Sequence, residues 1–372
     1  MDSDQRKEEL YAKTKDEYLE EYVKGKEPTA EDAKAFLEEN LKYLDFTENL
    51  GGIQWPDGLL DAQKAVTNDN GELPFGEEFK SELFDTFSES KYPVERFYAY
   101  ECMGNLSSEE RLAFYKKRFK AEDDPAVLIK MIWIVRDRRE EAADQDILDF
   151  YTAMTDHENP LVRAAASNIT FFTCFSKDEN AVEVTVNNIV KLLGDEDVEV
   201  KDLAAAFSDM APRDMRVIEA LKAILENDAD MKAHGSASEA LQCMWTGYPS
   251  YKETSQEAYL AFLEYLKREP RNADIPTWRG VSPLVGISKD KFDAFAATLD
   301  FYNAEELGNI YSAILQDANA GNLARGEAVE GIAIYGTYDQ FVAAKTYIDS
   351  IEEEGIRTAL LDAYDKGNEA LQ

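Results

Sequence analysis

The amino-acid sequence predicts an all-α fold: an α-solenoid of stacked antiparallel helix pairs with an N-terminal helical extension. Three observations predict it. The segment Asp156-His157-Glu158-Asn159-Pro160-Leu161-Val162-Arg163-Ala164-Ala165-Ala166 returns in weaker form, and related positions recur every 31–38 residues. A fixed period of that size marks a repeat architecture. From about residue 77, helical patterns of 11–16 residues alternate with short breaks. No segment sustains the period-two alternation of a half-buried strand.

Taken in order, residues 3–24 read as one long charged helix. Leu10, Tyr11, Tyr18, Leu19, Tyr22 and Val23 give it a sparse apolar stripe. Gly25 ends it. Pro28 and Glu31 then open a second helix, with a proline in the first turn and acids at the positive end of the helix dipole. Residues 46–76 carry Gly51-Gly52, Pro56-Asp57-Gly58, Asn70-Gly71 and Pro74, and read as a long loop. The domain reading is therefore an N-terminal helical pair plus loop over 1–76 and a repeat array over 77–372. The array's breaks fall at Tyr92-Pro93, Gly104, Asp124-Pro125, Asn159-Pro160, Gly194, Ala211-Pro212 and Asn227.

A basic residue recurs just inside the second helix of each pair. Arg96, Lys130, Arg163, Lys201 and Lys232 are separated by 34, 33, 38 and 31 residues, and Arg325 and Arg357 by 32. An acid precedes the base in several units, among them Asp156 and Asp195. Such an Asp can cap the following helix, and the base can reach an acid of its own or a neighbouring repeat. Alanines 164–166 and 204–206 follow, small enough to let helices approach closely.

This pattern resembles the HEAT-repeat family, whose repeats carry an Asp in the turn and a Val-Arg pair early in the second helix. Asp156 with Val162-Arg163 and Asp195 with Val200-Lys201 are the nearest matches. The resemblance covers roughly residues 77–372 and fades between 246 and 320. It implies a structural ladder between repeats, carried here by Asp156, Arg163, Asp195 and Lys201. Lys201 and Lys232 stand where the family has Arg, and Leu128 follows Val127 where the family has a base.

Acids outnumber bases 75 to 40, a net charge of −35. The excess is spread along the chain, so it describes a surface and not an acidic tail. It repels phosphate backbones and anionic membranes, which argues against nucleic acid as a partner. A basic or extended protein fits better, and self-association is open through one local exception. Residues 111–140 hold nine bases against five acids, including Lys116, Lys117, Arg118, Arg136, Arg138 and Arg139. Two aromatic, Gly/Pro-bearing interruptions, Trp245–Tyr251 and Arg271–Gly280 with Trp278 and Arg279, either offer a binding face or plug a junction between irregular repeats.

Catalytic motifs are scarce. Cys102, Cys174 and Cys243 are isolated within apolar helical patterns and suit core positions. His157 and His234 form no metal-ligating motif, so no metal and no cofactor are expected. Ser88-x-x-Lys91 lacks its companion motifs. Asn68-Asp69-Asn70-Gly71 would place Val66 at the first ligand position of a calcium loop, which rules that reading out. The expected function is a non-enzymatic protein-binding scaffold or adaptor, with a carbohydrate-active α/α barrel as the alternative. No stretch is long and apolar enough to span a membrane. Residues 1–5 do not resemble a signal peptide, which leaves a cytoplasmic protein or an exported one whose leader is absent from this chain.

Overall fold

A computed structural model describes residues 3–23, 30–66, 77–136, 144–173, 176–247, 253–268 and 289–370. The described residues form twenty α-helices and one two-stranded ladder, so the fold is all-α. The chain divides into two compact units, Met1–Phe172 and Thr173–Gln372.

The first unit opens with α1 (Ser3–Ala12) and α2 (Lys15–Tyr18), the latter running into a π turn over Leu19–Val23. The expected single helix is thus broken. The cause is local: Thr14 N-caps α2, and Glu17 reaches back to the Thr14 backbone, closing a capping box that starts a new helix. Helix α3 (Ala30–Asn40) follows. Strands β1 (Asp45–Phe46) and β2 (Ile53–Gln54) then pair antiparallel, with Asp45 opposite Gln54 and Phe46 opposite Ile53. Helix α4 (Asp57–Val66) comes next. Residues 46–66 are therefore not the open loop expected, and residues 67–76 lie outside the described residues. Leu59 and Ala62 give α4 its buried face. Gly58 lets α4 sit against the α1–α2 junction, because a Cβ there would stand 2.1 Å from the Lys13 carbonyl oxygen.

Helices α5 (Glu77–Phe87), α6 (Pro93–Glu101), α7 (Ser108–Arg118), α8 (Pro125–Arg136), α9 (Gln145–Thr155) and α10 (Pro160–Thr173) continue the unit. Pro93, Pro125 and Pro160 each occupy a first helical position, where the missing N–H costs nothing. The N-terminal segment packs on these helices: Phe46 meets Phe97 at 5.4 Å between ring centroids, and Trp55 meets Tyr98 at 6.3 Å.

The second unit comprises α11 (Glu179–Leu193), α12 (Val198–Phe207), α13 (Met215–Glu226), α14 (Met231–Thr246), α15 (Gln256–Arg268), α16 (Lys289–Ala296), α17 (Ala304–Gln316), α18 (Asn322–Tyr335), α19 (Tyr338–Asp349) and α20 (Glu354–Ala370). Its packing has two layers. Helices α11, α13, α15, α17 and α19 each touch the next of that set, while α12 packs on α14 and α18 on α20. Neighbours also pair across the layers, α11 with α12, α13 with α14, α17 with α18 and α19 with α20. Antiparallel helix pairs stacked on one another produce this pattern.

The second layer is irregular at the eight-residue α16. There α18 reaches back to α14, the Tyr335 hydroxyl donating to Gln242 Oε1 at 2.9 Å. Trp245 is 0% exposed and surrounded by Tyr259, Phe292, Tyr302 and Tyr335 at 5.3–6.4 Å between ring centroids. Trp245 thus plugs a junction between irregular repeats and offers no binding face. The rest of the two expected interruptions, apart from Thr246 and Gly247, lies outside the described residues.

Candidate functional site

Three of the recurrent bases, all arginines, share a local task. Arg96 Nη1 donates to the Ser90 carbonyl at 3.0 Å, Arg163 Nη1 to that of His157 at 3.0 Å, and Arg357 Nη1 to that of Ile351 at 2.8 Å. In each case the acceptor lies six residues upstream, in the turn between helices. The guanidinium satisfies a turn carbonyl that no helix bond could reach. Asp156 is the last-turn cap of α9, and Asp195 Oδ1 accepts from the Asp197 N–H at 2.9 Å.

Lysines at the joints reach across repeats. Lys201 Nζ lies 2.8 Å from Asp230 Oδ1, joining α12 to the turn before α14. Lys232 pairs with Glu199, Arg216 with Glu183 at 2.8 Å, and Lys267 with Glu306 at 3.2 Å. The same holds for the basic stretch of the first unit. Lys116 pairs with Asp144 at 2.6 Å and Asp146 at 3.4 Å, Lys117 with Glu89, Arg118 with Glu122 at 3.2 Å, and Lys130 with Glu101 at 2.9 Å. The structure therefore brings Lys116, Lys117 and Arg118 together on α7, each beside an acid. The side chain of Arg136 and all of Arg138, Arg139, Trp278 and Arg279 lie outside the described residues.

At the centre of that stretch is a hub with only a partial sequence signal. Glu122 has a side chain that is 0% exposed. Its Oε2 accepts from Arg96 Nε at 2.9 Å and Arg118 Nη2 at 3.2 Å. Its Oε1 accepts from Arg96 Nη2 at 2.6 Å and from the backbone N–H groups of Asp123 and Asp124 at 3.3 and 3.2 Å. Burial pushes the carboxyl up, but the Arg96 hydrogen bonds and charge, with Asp124 N–H and Arg118, hold it below the usual carboxylate range. The i, i+4 spacing of Arg118 and Glu122 was readable, whereas Arg96 lies 26 residues away in sequence.

In the second unit the N-terminal half of α17 forms an open groove of about 450 Å³ lined by Asn303, Glu305, Glu306, Asn309, Ile310 and Ala313. Asn303 caps the helix by accepting from the Glu306 N–H at 3.0 Å. Gln340 of α19 fixes one edge, donating to the Glu305 carbonyl at 3.0 Å and to Asn309 Oδ1 at 2.9 Å. On α19, Tyr338 is 71% and Val342 45% exposed, one turn apart. Carboxylates, amide oxygens and an aliphatic floor suit a lysine or arginine side chain, whose stem is apolar and whose head is charged. Sequence reasoning missed this groove, because Asn303 with Glu305-Glu306 reads as an ordinary helix start.

The histidines hold structural positions. His157 Nδ1 accepts from the Asn159 N–H at 3.0 Å, and the buried His234 places Nε2 3.1 Å from the Asn227 carbonyl. Cys102 and Cys243 are buried, and burial raises the Cys243 thiol. Cys174 lies outside the described residues. Among the described residues, no group of three or more His, Cys, Asp or Glu side chains could hold a metal, and no helix is long and apolar enough to cross a membrane. No protein-family model matches the chain, and no curated protein is significantly similar to it.

Proposed function

We propose that this chain is a non-enzymatic scaffold of divergent HEAT-like repeats that binds a basic, extended segment of a partner protein. One observation carries the reading: bases engage acids or turn carbonyls at the repeat joints, so the surface left over is acidic. Even if all 40 bases paired one to one, 35 of the 75 acids would remain uncompensated. Self-repulsion on that scale costs stability, and a cationic partner relieves it. The groove on α17 is the place where such a segment would set a side chain. Charge there supplies selectivity and a fast on-rate, while Ile310, Ala313, Tyr338 and Val342 offer apolar area.

The test is titration of the full chain with a lysine-rich peptide of about ten residues, read by fluorescence anisotropy. Paired substitutions Glu305→Gln and Glu306→Gln are expected to weaken binding about tenfold, two charge contacts of partly screened strength. Unchanged affinity in the double variant removes the groove from the proposal. Failure of the wild-type chain to bind any cationic peptide removes the proposal itself.

A further inference from the structure

Within the layer formed by α11, α13, α15, α17 and α19, an exposed ion pair joins each neighbouring pair of helices except the last. Arg216 of α13 meets Glu183 of α11 at 2.8 Å, Lys222 of α13 meets Glu264 of α15 at 2.7 Å, and Lys267 of α15 meets Glu306 of α17 at 3.2 Å. No such bridge joins α17 to α19 among the described residues. Helix α17 carries no base, and the one base of α19, Lys345, is held by Asp349 at 2.6 Å. Gln340 spans the seam with a neutral amide. Its Nε2 donates to the Glu305 carbonyl and to Asn309 Oδ1, and its Oε1 accepts from the Thr337 N–H and hydroxyl. Both ends of the amide are therefore committed. The Glu305 carboxylate is left exposed and without a cation among the described residues, at the lip of the groove that Asn309, Ile310 and Ala313 also line. Glu305 and Asn309 stand at i and i+4, on one face of α17.

We propose that the seam between α17 and α19 is the seat for one lysine or arginine side chain of the partner, which supplies the bridge this layer lacks. Glu305 is the carboxylate that takes the cation, and Asn309 Oδ1, with one lone pair still open, is a second acceptor. Ile310 and Ala313 support the apolar stem. Glu306 is already bridged to Lys267 and contributes less. The inference rests on the scaffold reading above and assigns the recognition residue within its groove.

Single substitutions in the full chain test it, with the Kd for the lysine-rich peptide as the readout and helical circular dichroism as the check on folding. Glu305→Gln is expected to weaken binding about fivefold, the upper range for an exposed ion pair. Glu306→Gln removes the same net charge and is expected to weaken it about twofold. Glu264→Gln removes that charge from a bridged position outside the groove and is expected to cost less than about twofold. Asn309→Lys sets a cation one turn from Glu305, in the favourable Glu-to-Lys order, and so fills the seat from within. It is expected to weaken peptide binding about tenfold without lowering Tm. Equal losses in Glu305→Gln, Glu306→Gln and Glu264→Gln overturn the proposal, since net charge alone would then set affinity. An Asn309→Lys chain that binds like the wild type overturns it as well, and in both cases the scaffold reading stands. A wild-type chain that binds no cationic peptide removes both.

Discussion

The two units solve the same packing problem with opposite chemistry. The first gathers α6, α7 and the start of α8 around a buried carboxylate, Glu122, which two arginines and two backbone N–H groups hold. The second gathers α14, α15, α16 and α18 around Trp245, which four aromatic rings enclose. An ion hub carries direction and a fixed number of partners, so it specifies one arrangement. Its attraction must first offset the desolvation of every charge in it. An aromatic hub gains from area and from edge-to-face contacts, and it tolerates an irregular neighbour such as the short α16. The repeat motif survives where joints are polar and fades where they are aromatic.

Removing one partner from each hub exposes that difference. Glu122→Ala strands two buried guanidinium groups and is expected to destabilise the first unit by roughly 4 kcal/mol, read by denaturant unfolding. Trp245→Ala leaves a cavity and is expected to cost the second unit roughly the same, about 3–5 kcal/mol. Only the ion hub is repairable by removing everything: Arg96→Met, Arg118→Leu and Glu122→Met together are expected to regain most of the loss. If that triple variant is no more stable than Glu122→Ala, the hub is not held by charge pairing.

Acid separates the units further. The carboxyl of Glu122 is lowered in the fold, so its contribution is present above the unfolded value of about 4.3 and is lost as pH falls through the folded value. Asp124, raised by burial, offsets part of this. In the second unit Glu330 is raised by burial, so acid relieves a charge that the fold disfavours. Hydrogen exchange at about pH 4 is expected to show the α6–α8 region opening before α14–α18. Alkali is not expected to discriminate. Buried Tyr98 and Tyr100 in one unit, and Tyr302 and Tyr335 in the other, are all raised by desolvation. Each therefore loses its contribution as pH rises above about 10.

The joints give smaller effects graded by exposure. Lys201 and Asp230 are only 13% and 11% exposed at their side chains, so Lys201→Ala is expected to cost about 2 kcal/mol. Lys117, 66% exposed, is expected to give less than about 1 kcal/mol when replaced by Ala.

Helix positions and joints were legible in the sequence because they rest on local rules. Pro93, Pro125 and Pro160 start helices wherever they stand, and the base six residues past a turn carbonyl keeps its spacing. The break at Thr14 was also local, but the apolar stripe over residues 3–24 masked its capping box. The helix at Asp57–Val66 was hidden by glycines, one of which, Gly58, is needed for close packing and not for a turn. What could not be read is contact between distant segments. Arg96 with Glu122 and Tyr335 with Gln242 are pairings that fold geometry creates, and the groove on α17 uses residues that otherwise serve as a helix cap.

A partner selected by charge must respond to salt. The most direct measurement is the Kd of the full chain for a lysine-rich peptide between 50 and 200 mM sodium chloride. An acidic surface left over from the joints predicts a Kd that rises roughly tenfold over that range, as steered and partly screened association does. A Kd unchanged across it contradicts a charge-selected partner.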